Sequence, residues 1–368
     1  MNQRISRRSL LLGVSAAAGI CGAPAQKANA PKLKSSLPAG VGEFIRYRDP
    51  VTENSLVRLT SPASASLLPD ATNRFISLKG RFLIFSSDRN GSFHPFRADL
   101  RTGALAQIAE TQSLRPGSLC LDGQDRFLRL IEGDRLVEMN LLGRKTRVLA
   151  DGISAFSEVR EPSEFVVVRQ KRLEYLSRSG PVLAEDISDW CLVGPDGAAC
   201  LYRRELSSDE SELWWASLAA NGTRKPVRLA SGNISNARWS PDGRSVLFLR
   251  SSLANGTVVS DIRQVSLDSP SETEIAKTSQ FASFNCNDDA SVFLGASRSK
   301  AQPNIILLLR SPERELTLCE HRAHEPRTVT PVFSPDNRRI FFQSDRDGKS
   351  ALYSMNVEAI VEPSSRTN

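Results

Sequence analysis

Histidine is scarce in this chain. Its 368 residues include three: His94, His321 and His324. No His accompanies Ser86, Ser87 and Asp88, or Ser344 and Asp345, in a plausible triad, so these read as turn residues and not as nucleophiles. None of the six cysteines forms a C-x-x-C pair, which leaves a thiolate zinc site without ligands at the required spacing. Five cysteines remain once Cys21 is set aside with the N-terminal leader, and an odd number argues against a complete disulfide framework. Cys191 and Cys200 flank one turn and could be bridged across strands; buried free thiols are the commoner outcome. No Gly-rich phosphate loop is present. No basic run is interleaved with aromatics, so nucleic-acid recognition lacks its footprint. The formal charge of +7 includes Arg4, Arg7 and Arg8 of the leader, and the remaining Lys and Arg are dispersed. No apolar run is long enough to span a bilayer as a stable anchor.

What the chain does have is repetition. Phe333-Ser334-Pro335-Asp336-Asn337 precedes the apolar run Ile340 to Phe342 and the turn Ser344-Asp345-Arg346-Asp347-Gly348. Trp239-Ser240-Pro241-Asp242-Gly243 precedes Val246 to Leu249, and Leu78-Lys79-Gly80 precedes Phe82 to Phe85. Pro presets φ at the first central turn position, Asp bonds the backbone ahead, and Gly tolerates positive φ. The corners fall at Gly80, Gly123, Ser163, Gly197, Gly243, Ala290 and Asn337, at intervals of 34 to 47 residues. A period of this size built from strands and turns is the signature of a propeller. The expected fold is all-β: a seven-bladed β-propeller of four-stranded antiparallel blades over residues 43–362. The last repeat stops after its third strand, and Ser55 to Thr60 reads as a spare strand. It is expected to complete the last blade and close the ring, because an open array leaves a bare edge.

Residues 1–30 read as a twin-arginine signal peptide around Ser6-Arg7-Arg8-Ser9-Leu10, with cleavage after Ala25 or Ala30. A linker (31–42) and a disordered tail (363–368) flank the propeller. The expected location is periplasmic or secreted, and the expected state is a monomer.

The repeats resemble those of TolB-type propellers, which carry the same Ser-Pro-Asp-Gly corner and Ser-Asp-Arg-Asp-Gly turn. Phe44 to Thr52, Val57 to Thr60, Arg97 to Gly103 and Thr330 to Tyr353 are more closely similar to the oligogalacturonate lyase family. That resemblance implies β-elimination of galacturonide chains. In the family a histidine acts as base, and a manganese ion is held by three histidines and a glutamine. Carried over by position, this apparatus is replaced here. The base position falls at Asn236, one metal histidine at Ser283, the glutamine at Glu325, and the His-x-His pair at Thr328 and Thr330. The resemblance therefore implies an exported propeller without the family's metal chemistry and with no cofactor. It would bind an oligosaccharide or an envelope protein through a polar, uncharged central pocket.

Ligand-binding candidates are Asn236, Ser283, His324, Glu325, Thr328 and Thr330. The alternative is an active lyase with a relocated divalent-ion site built from His321, His324 and Glu325. A TolB-like envelope scaffold is a second alternative. Trp214 and Trp215 face opposite ways on a strand, so one packs between blades and the other could stack on a sugar. Arg203 and Arg204 could meet an anion or simply lie on the surface. Asp261 and Glu272 lie in a polar stretch without identifiable partners.

Overall fold

The computed structural model describes residues 42–160, 164–176, 180–218, 225–269, 271–278, 280–358 and 360. The expected signal peptide, the expected linker as far as Val41, the corner expected at Glu161-Pro162-Ser163 and the expected tail from Pro363 lie outside the described residues. The described strands form seven antiparallel sheets in sequence order, with no α-helix among the described residues. The protein is a seven-bladed β-propeller.

Six blades have four strands each. Their first, innermost strands begin at Ser66, Cys120, Ile153, Cys191, Ile234 and Phe281. The seventh blade is composite. Val332–Phe333, Arg339–Ser344 and Ala351–Asn356 come from the C-terminal end, and Ser55–Arg58 from the N-terminal end. Leu56, Val57 and Arg58 pair with Met355, Ser354 and Tyr353, which closes the ring as the repeat pattern implied. The structure adds a strand that the repeat does not contain. Ile45–Arg48 pairs antiparallel with Ser55–Arg58 and gives this blade a fifth strand.

The corners share one hydrogen-bond plan. The Ser240 amide donates to Ser245 O at 2.9 Å, and the Gly243 amide donates back to Ser240 O at 2.9 Å. The same pair of bonds recurs from Ser77, Asp122, Gly194, Asn287 and Ser334. The fourth residue of each corner is left-handed: Gly80, Asp125, Gly197, Gly243, Ala290 and Asn337. In the second blade that residue is Asp125 and not the expected Gly123. Asp122 there takes the capping place of Ser334, accepting from the Arg126 and Phe127 amides. Burial raises the pKa of the corner carboxyls Asp242 and Asp336. Hydrogen bonds from the amides two residues ahead and from neighbouring serines outweigh it, and both end below the usual carboxylate range.

Each second strand has a buried stretch between neighbouring blades, which covers all of Val292–Ser297 in the sixth, whereas Ser245–Ala254 in the fifth runs on to an exposed end. Burial on both faces explains the continuous apolar run of that stretch. Gly295 in the sixth blade's strand lies against the fully buried Phe281, and a Cβ there would come within 2.4 Å of the ring. Trp215 packs in the core between the fourth and fifth blades. Trp214, on the opposite face, stacks on Tyr202 at 6.4 Å under Arg204. Cys191 and Cys200 are free buried thiols; burial raises the Cys200 pKa well above its usual value, and Cys191 beside it adds to this.

Gly295→Ala is expected to cost about 1–3 kcal/mol by overpacking. Adding Phe281→Leu to that variant should restore part of the loss in equilibrium urea unfolding. An Ala variant as stable as the parent would show that the ring is free to shift.

Candidate functional site

Each second strand runs away from its corner, so its far end reaches the opposite face of the ring. There the far ends of second strands meet the near ends of innermost strands. Between them lies a cavity of about 470 Å³. Its wall draws on five blades: Asp70 to Thr72 from the first, Trp190 and Arg203 from the fourth, and Asn233 to Arg238 from the fifth. Ala282 and Arg298 come from the sixth, and Arg327 and Thr330 from the approach to the seventh. A smaller cavity of about 190 Å³ continues toward the second and third blades and shares Asp70, Thr72 and Trp190.

Irregular backbone shapes this wall. The pairing of the fifth blade's first two strands slips by one residue between Ser235 and Arg238, and Asn236 there has φ +51°. A similar slip between Phe281 and Ser283 brackets Ala282. Such bulges re-aim side chains, and here they sit where innermost strands border the cavity. Thr330 is also left-handed, at φ +38°.

The sequence-derived candidates therefore separate. Asn236 and Thr330 line the cavity. Ser283 is buried beside it, and its hydroxyl has no hydrogen-bond partner among the described residues. Thr328 and Glu325 lie on a short 3-10 turn, Pro326–Thr328. The Thr328 hydroxyl donates to Glu325 O, and a Glu325 carboxylate oxygen accepts from the Arg327 amide at 3.2 Å. His324 is exposed and bonds Asp345 through Nδ1 at 2.9 Å.

His321 is fully buried. Its Nδ1 accepts from the Ala323 amide at 3.0 Å, so Nε2 carries the proton and donates to Ser297 O at 2.9 Å. Both nitrogens are engaged, and burial lowers the pKa. His321, His324 and Glu325 thus do not converge. Among the described residues no group of three His, Cys, Asp or Glu is placed to hold a metal ion. His94 is also buried; Nδ1 accepts from the Thr111 amide, and Nε2 lies 3.2 Å from the Ser92 hydroxyl.

The cavity differs from the expected uncharged pocket in its guanidinium groups. Arg203, Arg238, Arg298 and Arg327 all line it. None has a carboxylate within 4.0 Å among the described ion pairs, whereas Arg250 is paired with Glu272 and Arg263 with Asp261. Arg203 lies over the Trp190 ring at 5.6 Å, a cation–π contact that gives the wall a flat aromatic surface. The sequence had singled out Arg203; Arg238, Arg298, Arg327 and Trp190 carried no motif.

Compared by sequence, the chain matches no protein-family model and no curated protein. Compared by structure, it is similar to an oligogalacturonate lyase in complex with manganese, with a TM-score of 0.76 at 18% identity over 88% of this chain and 97% of that one. It is also similar to the oligogalacturonate lyase of Vibrio parahaemolyticus, with a TM-score of 0.74 at 16% identity over 88% and 98% of the two chains. Hydrazine synthase of Kuenenia stuttgartiensis follows with a TM-score of 0.55 at 9% identity over 77% and 95%. The resemblance to oligogalacturonate lyase read from the sequence thus holds in three dimensions at the level of the fold. One architecture hosts unrelated chemistries, so function must be argued from the site.

Manganese does not fit this cavity. The aligned positions Asn236 and Thr330 offer only neutral oxygen donors. Of the wall's carboxylates, Asp70 is held by Thr72 and Glu205, Asp209 and Glu210 lie at the fourth blade's hairpin, so among the described residues no ligand set converges, and four arginines share the space.

His321 makes a pH prediction. Its folded pKa lies below the unfolded value, so its contribution is complete above about pH 6.5 and is lost as pH falls through the folded value. Unfolding midpoints measured from pH 8 to pH 5 should fall in the parent and fall less steeply in His321→Gln. Equal slopes would assign the acid sensitivity elsewhere.

Proposed function

We propose that this chain is an exported, non-catalytic propeller that binds an oligosaccharide in its central cavity, acting as a monomer. The observation that carries the reading is the composition of the cavity wall. It holds amides, hydroxyls, four guanidinium groups, one half-buried indole and the carboxylates of Asp70, Glu205, Asp209 and Glu210, with no imidazole among the described lining residues. A cavity of this size with an aromatic face and converging polar groups suits a small polar ligand. Proton abstraction next to a carboxyl needs a base within hydrogen-bonding reach. An arginine cannot serve, because it stays protonated. Of the wall's carboxylates, Asp70 accepts from the Thr72 amide and hydroxyl, and Glu205, Asp209 and Glu210 are exposed on or beside the hairpin turn of the fourth blade. Trp190 is the natural stacking surface, with Arg203 behind it. The twin-arginine leader supports export.

The test is trigalacturonate added to purified mature protein with and without manganese. Calorimetry reads binding, and ultraviolet absorbance reads unsaturated uronide. Binding without an absorbance rise is expected, and Trp190→Ala should weaken it about tenfold, the scale of one lost aromatic platform. A manganese-dependent rise would overturn the non-catalytic reading in favour of an active lyase. No binding of any oligosaccharide tested would overturn the ligand-binding reading.

A further inference from the structure

We infer that Arg238 and Arg298, with Arg327 at the mouth, form a binding site for a compact oxyanion: the carboxylate, sulfate or phosphate group of a small ligand. The inference deepens the reading of the cavity as a ligand site and rests on it.

Arg298 stands where its siblings are acidic. The second strands of the first, sixth and seventh blades each end in a serine: Ser87, Ser297 and Ser344. The next residue is Asp88 in the first blade, Asp345 in the seventh and Arg298 in the sixth. Asp88 accepts from the Ala65 amide and Asp345 from the His324 amide, so both tie down local loops. Arg298 instead turns a guanidinium to the cavity. It is held through one nitrogen: Nη2 donates to Ser260 Oγ at 2.8 Å, to Phe281 O at 2.9 Å and to Ser251 Oγ at 3.2 Å. Its Nε is buried without a partner. All three anchors are neutral oxygens, so they orient the cation without neutralising it.

Arg238 stands on the innermost strand of the fifth blade, with its guanidinium beside the Cys286 thiol. It is 9% exposed, its Nε has no partner, and its guanidinium lies 5.5 Å from the Phe284 ring. Burying an arginine with a donor unused is costly unless something completes its hydrogen bonds. Two guanidinium groups held in place with free donors are suited to an oxyanion, whose oxygens accept several N–H groups at once.

The cavity wall carries four arginines and four carboxylates that do not pair with them among the described residues. Burial lowers the Arg298 pKa, and the Arg327 charge lowers it further, so the two cations repel across the space. The carboxylates of the wall are Asp70, Glu205, Asp209 and Glu210. Asp70 is occupied by Thr72, and the other three sit at the fourth blade's hairpin. None forms an ion pair with these arginines among the described residues.

The test titrates inorganic phosphate and sulfate against chloride at matched ionic strength, with melting temperature and calorimetry as readouts. Galacturonate and galactose serve as a charged and a neutral sugar of similar size. Phosphate, sulfate and galacturonate should raise the melting temperature saturably; chloride and galactose should not. Arg298→Gln and Arg238→Gln should each weaken phosphate about ten- to a hundredfold, while exposed Arg46→Gln leaves it unchanged. Arg327→Gln separates this role from a structural one. It should weaken phosphate yet leave the anion-free melting temperature no lower, because it relieves repulsion.

Phosphate no more stabilising than chloride, or equal in the parent and in both buried-arginine variants, would overturn the inference. If trigalacturonate binds but galacturonate and phosphate do no better than galactose, the cavity reading survives and the oxyanion site falls. If phosphate binds while no oligosaccharide does, the oxyanion site survives and the sugar reading falls.

Discussion

A ring of blades is locked shut when its two chain ends share a blade, and backbone bonds between Ser55–Arg58 and Ala351–Asn356 make that joint here. The other features depend on it. The fully buried Leu56 packs among Ile340, Phe342 and Met355 in the seam, so the joint is held by apolar burial as well as by its ladder. The added strand Ile45–Arg48 then covers the outer side of Ser55–Arg58. With the ring closed, the innermost strands of the blades converge, and they and the adjoining turns enclose the cavity.

Within that frame the dominant constraint on function is charge. A protein interior tolerates a buried cation when it is paired or fully hydrogen-bonded. The propeller follows this elsewhere: Arg129, 1% exposed, meets Glu138 and Glu158 between the second and third blades. The central cavity departs from it. Its arginines are oriented by hydroxyls, a carbonyl and aromatic rings, which fix geometry while leaving charge uncompensated. A cavity that gathers several such cations is where function is expected.

The fold was legible because corner chemistry is local. Ser-Pro-Asp-Gly writes its own turn, and an apolar run after it can only be a strand buried on both faces. Asp125 shows the limit of reading by glycine: the corner is set by the capping residue Asp122, and the left-handed residue follows at a fixed distance. Ile45–Arg48 was not legible as a strand, since it is mostly exposed and exists through its partner. The cavity was half legible. Asn236 and Thr330 were placed by resemblance, but Ser283, Thr328 and Glu325 are not among its lining residues. Arg298 was visible only as an arginine where two sister repeats have aspartate. That it shares a cavity wall with Arg238 and Arg327 follows from three blades arriving at one place, which no linear pattern records.

The central claim is that the hub of this propeller is an anion site and not a metal centre. Anomalous diffraction from crystals of the mature protein, soaked with manganese and a selenate or sulfate salt, tests it most directly. The account predicts oxyanion density against Arg238 and Arg298 and no manganese peak in the cavity. A manganese peak coordinated there, with the arginines turned away, would contradict it.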